Sequence, residues 1–241
     1  MPQQNTYSAE GKKNLLNVEK AGGFTDWMWG EIKPYLSGNI LELGSGMGTY
    51  SEKVVRDFTE SKVIVSEIDH DYIKSLESKF KPNKNVFVKN IDLNNQECFK
   101  EIDTKINTVF ALNVLEHIGD DVKALNYIYD ILEPGGKLVF LVPAHKFLFN
   151  SVDRAVGHYR RYSRKTVKDK VQQTKFKLGK MFYFNFAGIP GWFVSGNILK
   201  KQVINESALG FFNTLVPVFK FVGKYVFFRS IGISLIVVLA K

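Results

Sequence analysis

The sequence predicts an α/β fold: a mostly parallel sheet with helices wound on both faces, a last strand running antiparallel, and a helical insertion before that strand. Three observations predict it. Short apolar runs recur along the chain and alternate with amphipathic stretches. The first run, Ile40-Leu41-Glu42-Leu43, opens directly into Gly44-Ser45-Gly46-Met47-Gly48. The chain closes on another apolar run, Ser234–Ala240 (SLIVVLA). Strands alternating with helices at this spacing form parallel sheets covered on both sides, which bind ligands at the carboxyl ends of their strands.

The elements follow in order. Asp26–Leu36 reads as the end of an N-terminal helical region. Asn39–Leu43 is the first strand, followed by the glycine turn and a helix over Thr49–Phe58. Lys62–Ser66 is a second strand, and Asp71–Phe80 a helix with Ile73, Leu76 and Phe80 on one face. Asn85–Lys89 and Ile106–Leu112 are the third and fourth strands. Asp120–Leu132 is a helix ended by Glu133-Pro134-Gly135-Gly136, and Lys137–Val142 is the fifth strand. Lys146–Arg164 reads as a long loop. Ser163 caps a helix over Arg164–Thr174, Phe176–Phe184 is a sixth strand, and Ala187–Arg229 is an apolar, aromatic, helical insertion. The two late strands imply one antiparallel element at the sheet edge.

Composition narrows the classes. The chain has 241 residues, 45% hydrophobic and 24% charged, which is ordinary for a globular domain. One cysteine, Cys98, excludes an internal disulfide framework and fits a reducing, cytoplasmic setting. The polar N-terminus lacks the apolar core of a secretory signal. Met181–Leu199 is uncharged and near membrane-spanning length, but Pro190 and Gly188, Gly191 and Gly196 interrupt it, so it reads as strand, turn and helix start. The net charge of +9 fits nucleic acid, an anionic membrane face or an acidic substrate, and equally a Lys-rich chain with dispersed charge.

The glycine turn carries the first chemistry. Glycines permit close backbone approach, and the following helix offers unpaired N–H groups. A dinucleotide fingerprint places its third glycine one residue later than Gly48. Glu42 at the turn's entrance disfavours a pyrophosphate and suits a cationic ligand group such as an amine or sulfonium. Glu67, 23 residues after Gly44, ends the second strand, where a carboxylate accepts both hydroxyls of a ribose. Asn90-Ile91-Asp92-Leu93 follows the third strand, and Asn113-Val114-Leu115-Glu116-His117-Ile118 the fourth.

This set resembles the class I S-adenosylmethionine-dependent methyltransferases: ELGSGMG, EID after strand two, NID after strand three, NVLEHI after strand four and LEPGGKLVF into strand five, in order over residues 40–142. The resemblance implies a Rossmann-like, seven-stranded sheet in a single domain, with residues 1–36 as the N-terminal helical region, 37–145 as the cofactor-binding core and 146–241 on the acceptor side. It implies S-adenosyl-L-methionine as cofactor and S-adenosyl-L-homocysteine as product. Glu42, Gly44, Ser45, Gly46 and Gly48 would hold the methionine part, and Glu67 with Ile68 the ribose. Asp92 would meet the adenine amine, with Ile91 or Leu93 near the ring, and Asn113 would close the pocket. More local readings stand beside these. Asp69 caps the next helix, Asp92 is a loop residue, His117 is structural, and Glu116 is a helix-start carboxylate. No residue is assigned as a metal ligand.

Residues 153–165 (DRAVGHYRRYSRK) concentrate Arg154, Arg160, Arg161, Arg164 and Lys165 with His158, Tyr159 and Tyr162. The stretch is either a solvated basic face or a lid over the strand ends, with His158, Tyr159 and Arg160 as the catalytic candidates. Histidine titrates near neutrality, which suits removal of a proton from a nucleophile. The segment resembles a Gly-His-x-Arg-Arg-Tyr stretch of bacterial small-molecule methyltransferases. Arg160 and Arg161 are adjacent and so point apart, one of them pairing with a carboxylate such as Asp153. The aromatic insertion is read as an acceptor-pocket wall for an apolar substrate, a dimer or membrane-surface patch, or core.

The implied activity is methyl transfer to oxygen or nitrogen of a small-molecule, sugar or lipid-like acceptor. Asn113 is not followed by the Pro-Pro-Tyr of base-amine methylating enzymes, and Cys98 lies before strand four rather than after it. An RNA methyltransferase, suggested by +9 and EIDHD, and a non-catalytic protein of the same fold are the alternatives.

Overall fold

The computed structural model describes residues 8–203 and 206–241. Helices α1 (Ala9–Glu19) and α2 (Gly22–Ile32) precede a regular alternation: β1 (Ile40–Leu43), α3 (Thr49–Asp57), β2 (Val63–Glu67), α4 (His70–Phe80), β3 (Val86–Asn90), the short α5 (Glu97–Lys100), β4 (Ile106–Leu112), α6 (Asp121–Ile131) and β5 (Leu132–Pro143). The second half runs α7 (Ser151–Ala155), α8 (Arg164–Val171), β6 (Lys177–Phe184), α9 (Gly188–Trp192), α10 (Glu206–Tyr225) and β7 (Ser234–Ala240). One seven-stranded sheet results, in the order β3-β2-β1-β4-β5-β7-β6. Strands β1 to β5 pair in parallel, and β7 runs antiparallel between β5 and β6.

Alternate strand residues feed two cores, because successive side chains point to opposite faces. Leu41, Leu43, Ile64, Val109, Leu138, Phe140, Leu235 and Val237 pack with Phe99, Leu125, Ile128, Val167 and Val171 on one side. Ile40, Val63, Val65, Phe110, Val139, Leu141 and Ile236 pack with Trp27, Ile32, Val54, Leu76, Phe80 and Val216 on the other. Burial on both faces explains why the central strands are nearly continuous apolar runs.

Chain order reverses between β1 and β4. The chain steps outward from β1 to β3, then returns to lay β4 beside β1. Such a reversal opens a crevice at the strand ends where ligands bind. The turn after β1 and the turn after β4 flank it.

Several expectations are corrected. The antiparallel strand is not at the edge: β7 lies one place in, covered by β6. Glu133–Gly136 ends α6 as expected, but the segment is absorbed into β5 as an irregularity, with Ile106 opposite Leu132 and Thr108 opposite Lys137. Gly135, at φ 78°, supplies the left-handed residue this needs. The stretch expected to be a loop over 146–164 contains a 3-10 turn at Lys146–Leu148 and α7, the latter opened by an Asn150/Asp153 capping box. Helix α8 starts after Ser163 as expected but stops at Val171. Within Met181–Leu199, strand β6 ends at Phe184, Asn185 turns at φ 60°, and α9 begins at Gly188. No helix among the described residues is long and apolar enough to cross a membrane.

Candidate active site

The turn between β1 and α3 is built from left-handed backbone. Gly44, Gly46 and Gly48 take φ of 69°, 55° and 86°. A Cβ on Gly44 would lie 2.6 Å from Val114 Cγ2, so the turn after β4 presses directly on the glycine loop. Ser45 donates its N–H to Ser66 O at 2.9 Å, while its buried Oγ has no hydrogen-bond partner among the described residues. Three left-handed glycines and an unused buried hydroxyl fit a ligand laid against the backbone.

Two carboxylates underlie this cradle. Glu42 is 3% exposed and accepts a hydrogen bond from the Ser51 hydroxyl. Burial pushes its carboxyl up to about 7, against the lowering effect of Ser51. Glu67 accepts from Gly46 N (2.7 Å), Ile68 N (2.7 Å) and Asp69 N (3.2 Å), tying the end of β2 to the glycine turn. Burial raises Glu67 as well, partly offset by those amides. Asp69 caps α4, accepting from Asp71 N and Tyr72 N, as expected. It also pairs with Lys12 of α1 at 3.3 Å.

The remaining candidates on this side lie at the same strand ends. Asp92 closes a local turn, accepting from Asn94 N at 2.8 Å. Ile91 and Leu93 are both core residues, at 2% and 4% exposed, whereas Ile68 is half-buried. Asn113 follows β4 at φ 55°, exposed, with its N–H on Leu141 O at 2.9 Å.

The basic loop folds back over the strand ends as a connected network. Arg161 Nε donates to Asp153 Oδ1 and Oδ2 at 2.9 and 3.0 Å, its Nη1 to Ala144 O at 3.1 Å, and its guanidinium lies 4.6 Å above the Trp192 ring. His158 Nδ1 meets Asp153 Oδ1 at 2.7 Å. The Tyr162 hydroxyl donates to Asp121 Oδ2 (2.7 Å) and lies 3.1 Å from Leu115 O. Arg160 pairs with Asp121 at 3.0 Å and donates to Ile118 O and Gly119 O. So Arg160, a catalytic candidate from the sequence, spends its guanidinium on the turn after β4. Tyr159 is 55% exposed, and its N–H donates to Glu116 O. Of the three candidates, His158 and Arg160 are both held by buried carboxylates, Asp153 and Asp121.

Sequence reasoning read Glu116 only as a helix-start carboxylate. It lies in the first turn of the short 3-10 helix Leu115–His117 and is fully buried. Neither carboxylate oxygen has a hydrogen-bond partner among the described residues. Burial pushes it up to about 7, the nearby His158 pulling the other way. The His117 ring stands edge-on to His158, 4.7 Å between centroids, and burial drives it down to about 3. No spacing rule marks Glu116, His117 and His158 as neighbours; the fold brings the last in from 41 residues away.

Comparison with known proteins follows the same boundaries. The family model described as a methyltransferase domain matches residues 41–138. A malonyl-[acyl-carrier protein] O-methyltransferase of Ilyobacter polytropus is 29% identical over 140 residues, covering 56% of this chain and 49% of that protein. The chain thus matches about half the length of that curated relative. Among solved structures, a SAM-dependent methyltransferase from Archaeoglobus fulgidus superposes with a TM-score of 0.61 at 17% identity, covering 94% and 99% of the two chains. An S-adenosylmethionine-dependent methyltransferase from Mesorhizobium loti gives 0.61 at 12% identity, covering 89% and 98%. Residues 41–138 are thus similar to a methyltransferase domain, and the chain has the fold of solved S-adenosylmethionine-dependent methyltransferases.

Proposed function

We propose that this chain methylates an oxygen or nitrogen of a small-molecule or lipid-like acceptor, using S-adenosylmethionine. The observation that carries the reading is the pairing, at one end of the sheet, of a turn with three left-handed glycines, underlain by Glu42 and Glu67, with a carboxylate-held histidine. When bound, the cofactor supplies a methyl group on a sulfonium, which leaves a neutral thioether. The Gly44–Gly48 backbone with Glu42 and Ser45 would hold its methionine part, Glu67 with Ile68 its ribose, Asp92 with Leu93 its base, and Asn113 the mouth of the pocket.

On the acceptor side, Asp153 orients His158 through Nδ1, which leaves Nε2, 3.8 Å from Glu116 Oε1, as the proton acceptor. Arg161 neutralises Asp153, which leaves that imidazole rather than the carboxylate as the basic group. Tyr159 and Arg160 act by holding this loop against the turn after β4. Alignment and water exclusion do the remaining work. The malonyl-acyl-carrier relative supports an acceptor carrying an acyl chain. So does α10, with Phe211, Val218 and Phe221 at 71%, 56% and 61% exposed, beside Lys220 and Lys224. That face also suits contact with an anionic membrane surface or a second copy of the chain.

Calorimetry with S-adenosylmethionine and NAD tests the donor: saturable binding of the first alone is expected, and NAD binding in its place sinks the assignment. A labelled-methyl assay against small-molecule, lipid and RNA fractions tests the acceptor. Label in the first two is expected, whereas label confined to RNA, with a salt-dependent gel shift, overturns the class.

A further inference from the structure

Glu116 is fully enclosed, and both its carboxylate oxygens lack a hydrogen-bond partner among the described residues. A carboxylate so placed is costly unless a cation, a proton or a donor meets it. Two imidazoles stand beside it. His158 Nε2 is 3.8 Å from Glu116 Oε1, and one ligand atom each from Glu116, His117 and His158 lie within 4.8 Å of one another. A separation of 3.8 Å is too long for a hydrogen bond. An ion about 2.0–2.2 Å from each atom spans it.

The surroundings are those of a ligand set. His158 Nδ1 is engaged by Asp153 at 2.7 Å, and Asp153 in turn by Arg161. That carboxylate fixes the tautomer with the Nε2 lone pair facing Glu116, the arrangement that supports metal-bound histidines. His117 is steadied by the Gly157 backbone and packs edge-on against His158.

We propose that Glu116, His117 and His158 bind a divalent transition-metal ion of the zinc or cobalt type at the acceptor side of the site. Two imidazole nitrogens and one carboxylate select this class over magnesium and calcium, which take oxygen sets. Three protein ligands leave coordination positions open, and an acceptor hydroxyl is the group to fill one. That use rests on the methyltransferase reading, while binding of the ion itself does not. With the ion in place, the His158 lone pair is committed to it. The bound hydroxyl then loses its proton to solvent because the cation stabilises the alkoxide. The role given to His158 as proton acceptor belongs to the ion-free protein.

The test uses the full chain, stripped with chelator. Co²⁺ is titrated by visible absorption and Zn²⁺ by calorimetry, with S-adenosylmethionine affinity measured on each variant as the control for folding. One equivalent of either ion is expected. Glu116→Gln and His117→Gln should each weaken it at least tenfold, and Asp153→Asn by about tenfold through His158. If Glu116→Gln loses S-adenosylmethionine binding, His117→Gln carries the test. No saturable binding of either ion to the wild type overturns the site, as does undiminished binding in the His117→Gln protein. Cofactor binding without metal binding sinks only the ion site; metal binding without cofactor binding sinks only the donor reading.

Discussion

Two buried glutamates stand at the same end of the sheet, on opposite sides of the strand-order reversal, and they are satisfied differently. Glu42 lies within β1, one residue before its end, and keeps a hydroxyl partner, Ser51, nine residues along the chain. Glu116 follows β4 and has none among the described residues. The contrast holds for the regions around them. The donor side is made by short-range pieces: a strand, a glycine turn, the helix that follows and an adjacent strand end. On the acceptor side the groups are brought together across the chain, Arg160 reaching 39 residues to Asp121 and His158 reaching 42 to Glu116.

The largest effect should come from breaking the acceptor side alone. His158→Ala is expected to lower kcat by about 10²–10⁴-fold, the usual contribution of a positioned base or of a ligand to the reacting oxygen. The dissociation constant for S-adenosylmethionine should stay within a few-fold of wild type. A matching loss of cofactor affinity would show that the two sides are not separable. Arg161→Met comes next. It leaves Asp153 buried without its cation, and removing one partner of such a pair costs about 3–5 kcal/mol. A fall in thermal midpoint with cofactor still bound would place the cost in the acceptor loop.

That contrast also explains what the sequence disclosed. The strand ends, the glycine turn, the Asp69 cap and the start of α8 at Ser163 are legible, because each follows from residues within a few positions: periodicity, a left-handed glycine, a short polar cap. Glu116 is not legible, because its meaning depends on a histidine delivered by a loop that had no regular signal. The partners of the two arginines are hidden for the same reason: Arg161 takes Asp153 and Arg160 takes Asp121, and nothing in the order of two adjacent arginines says which takes which. The placement of β7 inside the sheet was equally hidden, since a closing apolar run reads the same at an edge or one place in.

A pH test sharpens the donor side. Folding holds a proton on Glu42 that the unfolded chain, at the ordinary 4.5, has released. Stability therefore declines as pH rises from about 4.5 to about 7 and levels off above, by up to about 3 kcal/mol. Glu42→Gln should flatten that part of the profile in thermal unfolding between pH 5 and 8. Glu67, raised in the same direction, accounts for a slope that survives. A cationic cofactor favours the ionised carboxylate, so its binding at pH 6.5 should release protons in calorimetry repeated in buffers of different ionisation enthalpy. Uptake instead of release would argue that Glu42 does not face the cation.

The smallest effects test whether the two sides differ in backbone or only in how charge is satisfied. Asp69 caps α4 on the donor side, and Ser163 caps α8 on the acceptor side with a reciprocal bond to Thr166. Each cap replaced by Ala should cost about 1 kcal/mol. Ser163→Asp, which keeps an acceptor for the Thr166 N–H, should recover most of its share. Equal costs would mean that secondary structure is secured alike on both sides, and that the difference lies in buried charge. Ser163 follows Tyr162, whose hydroxyl is anchored to Asp121 and Leu115. A cost several times larger at Ser163 would therefore show the cap and the charge network yielding together, and would merge what the comparison holds apart.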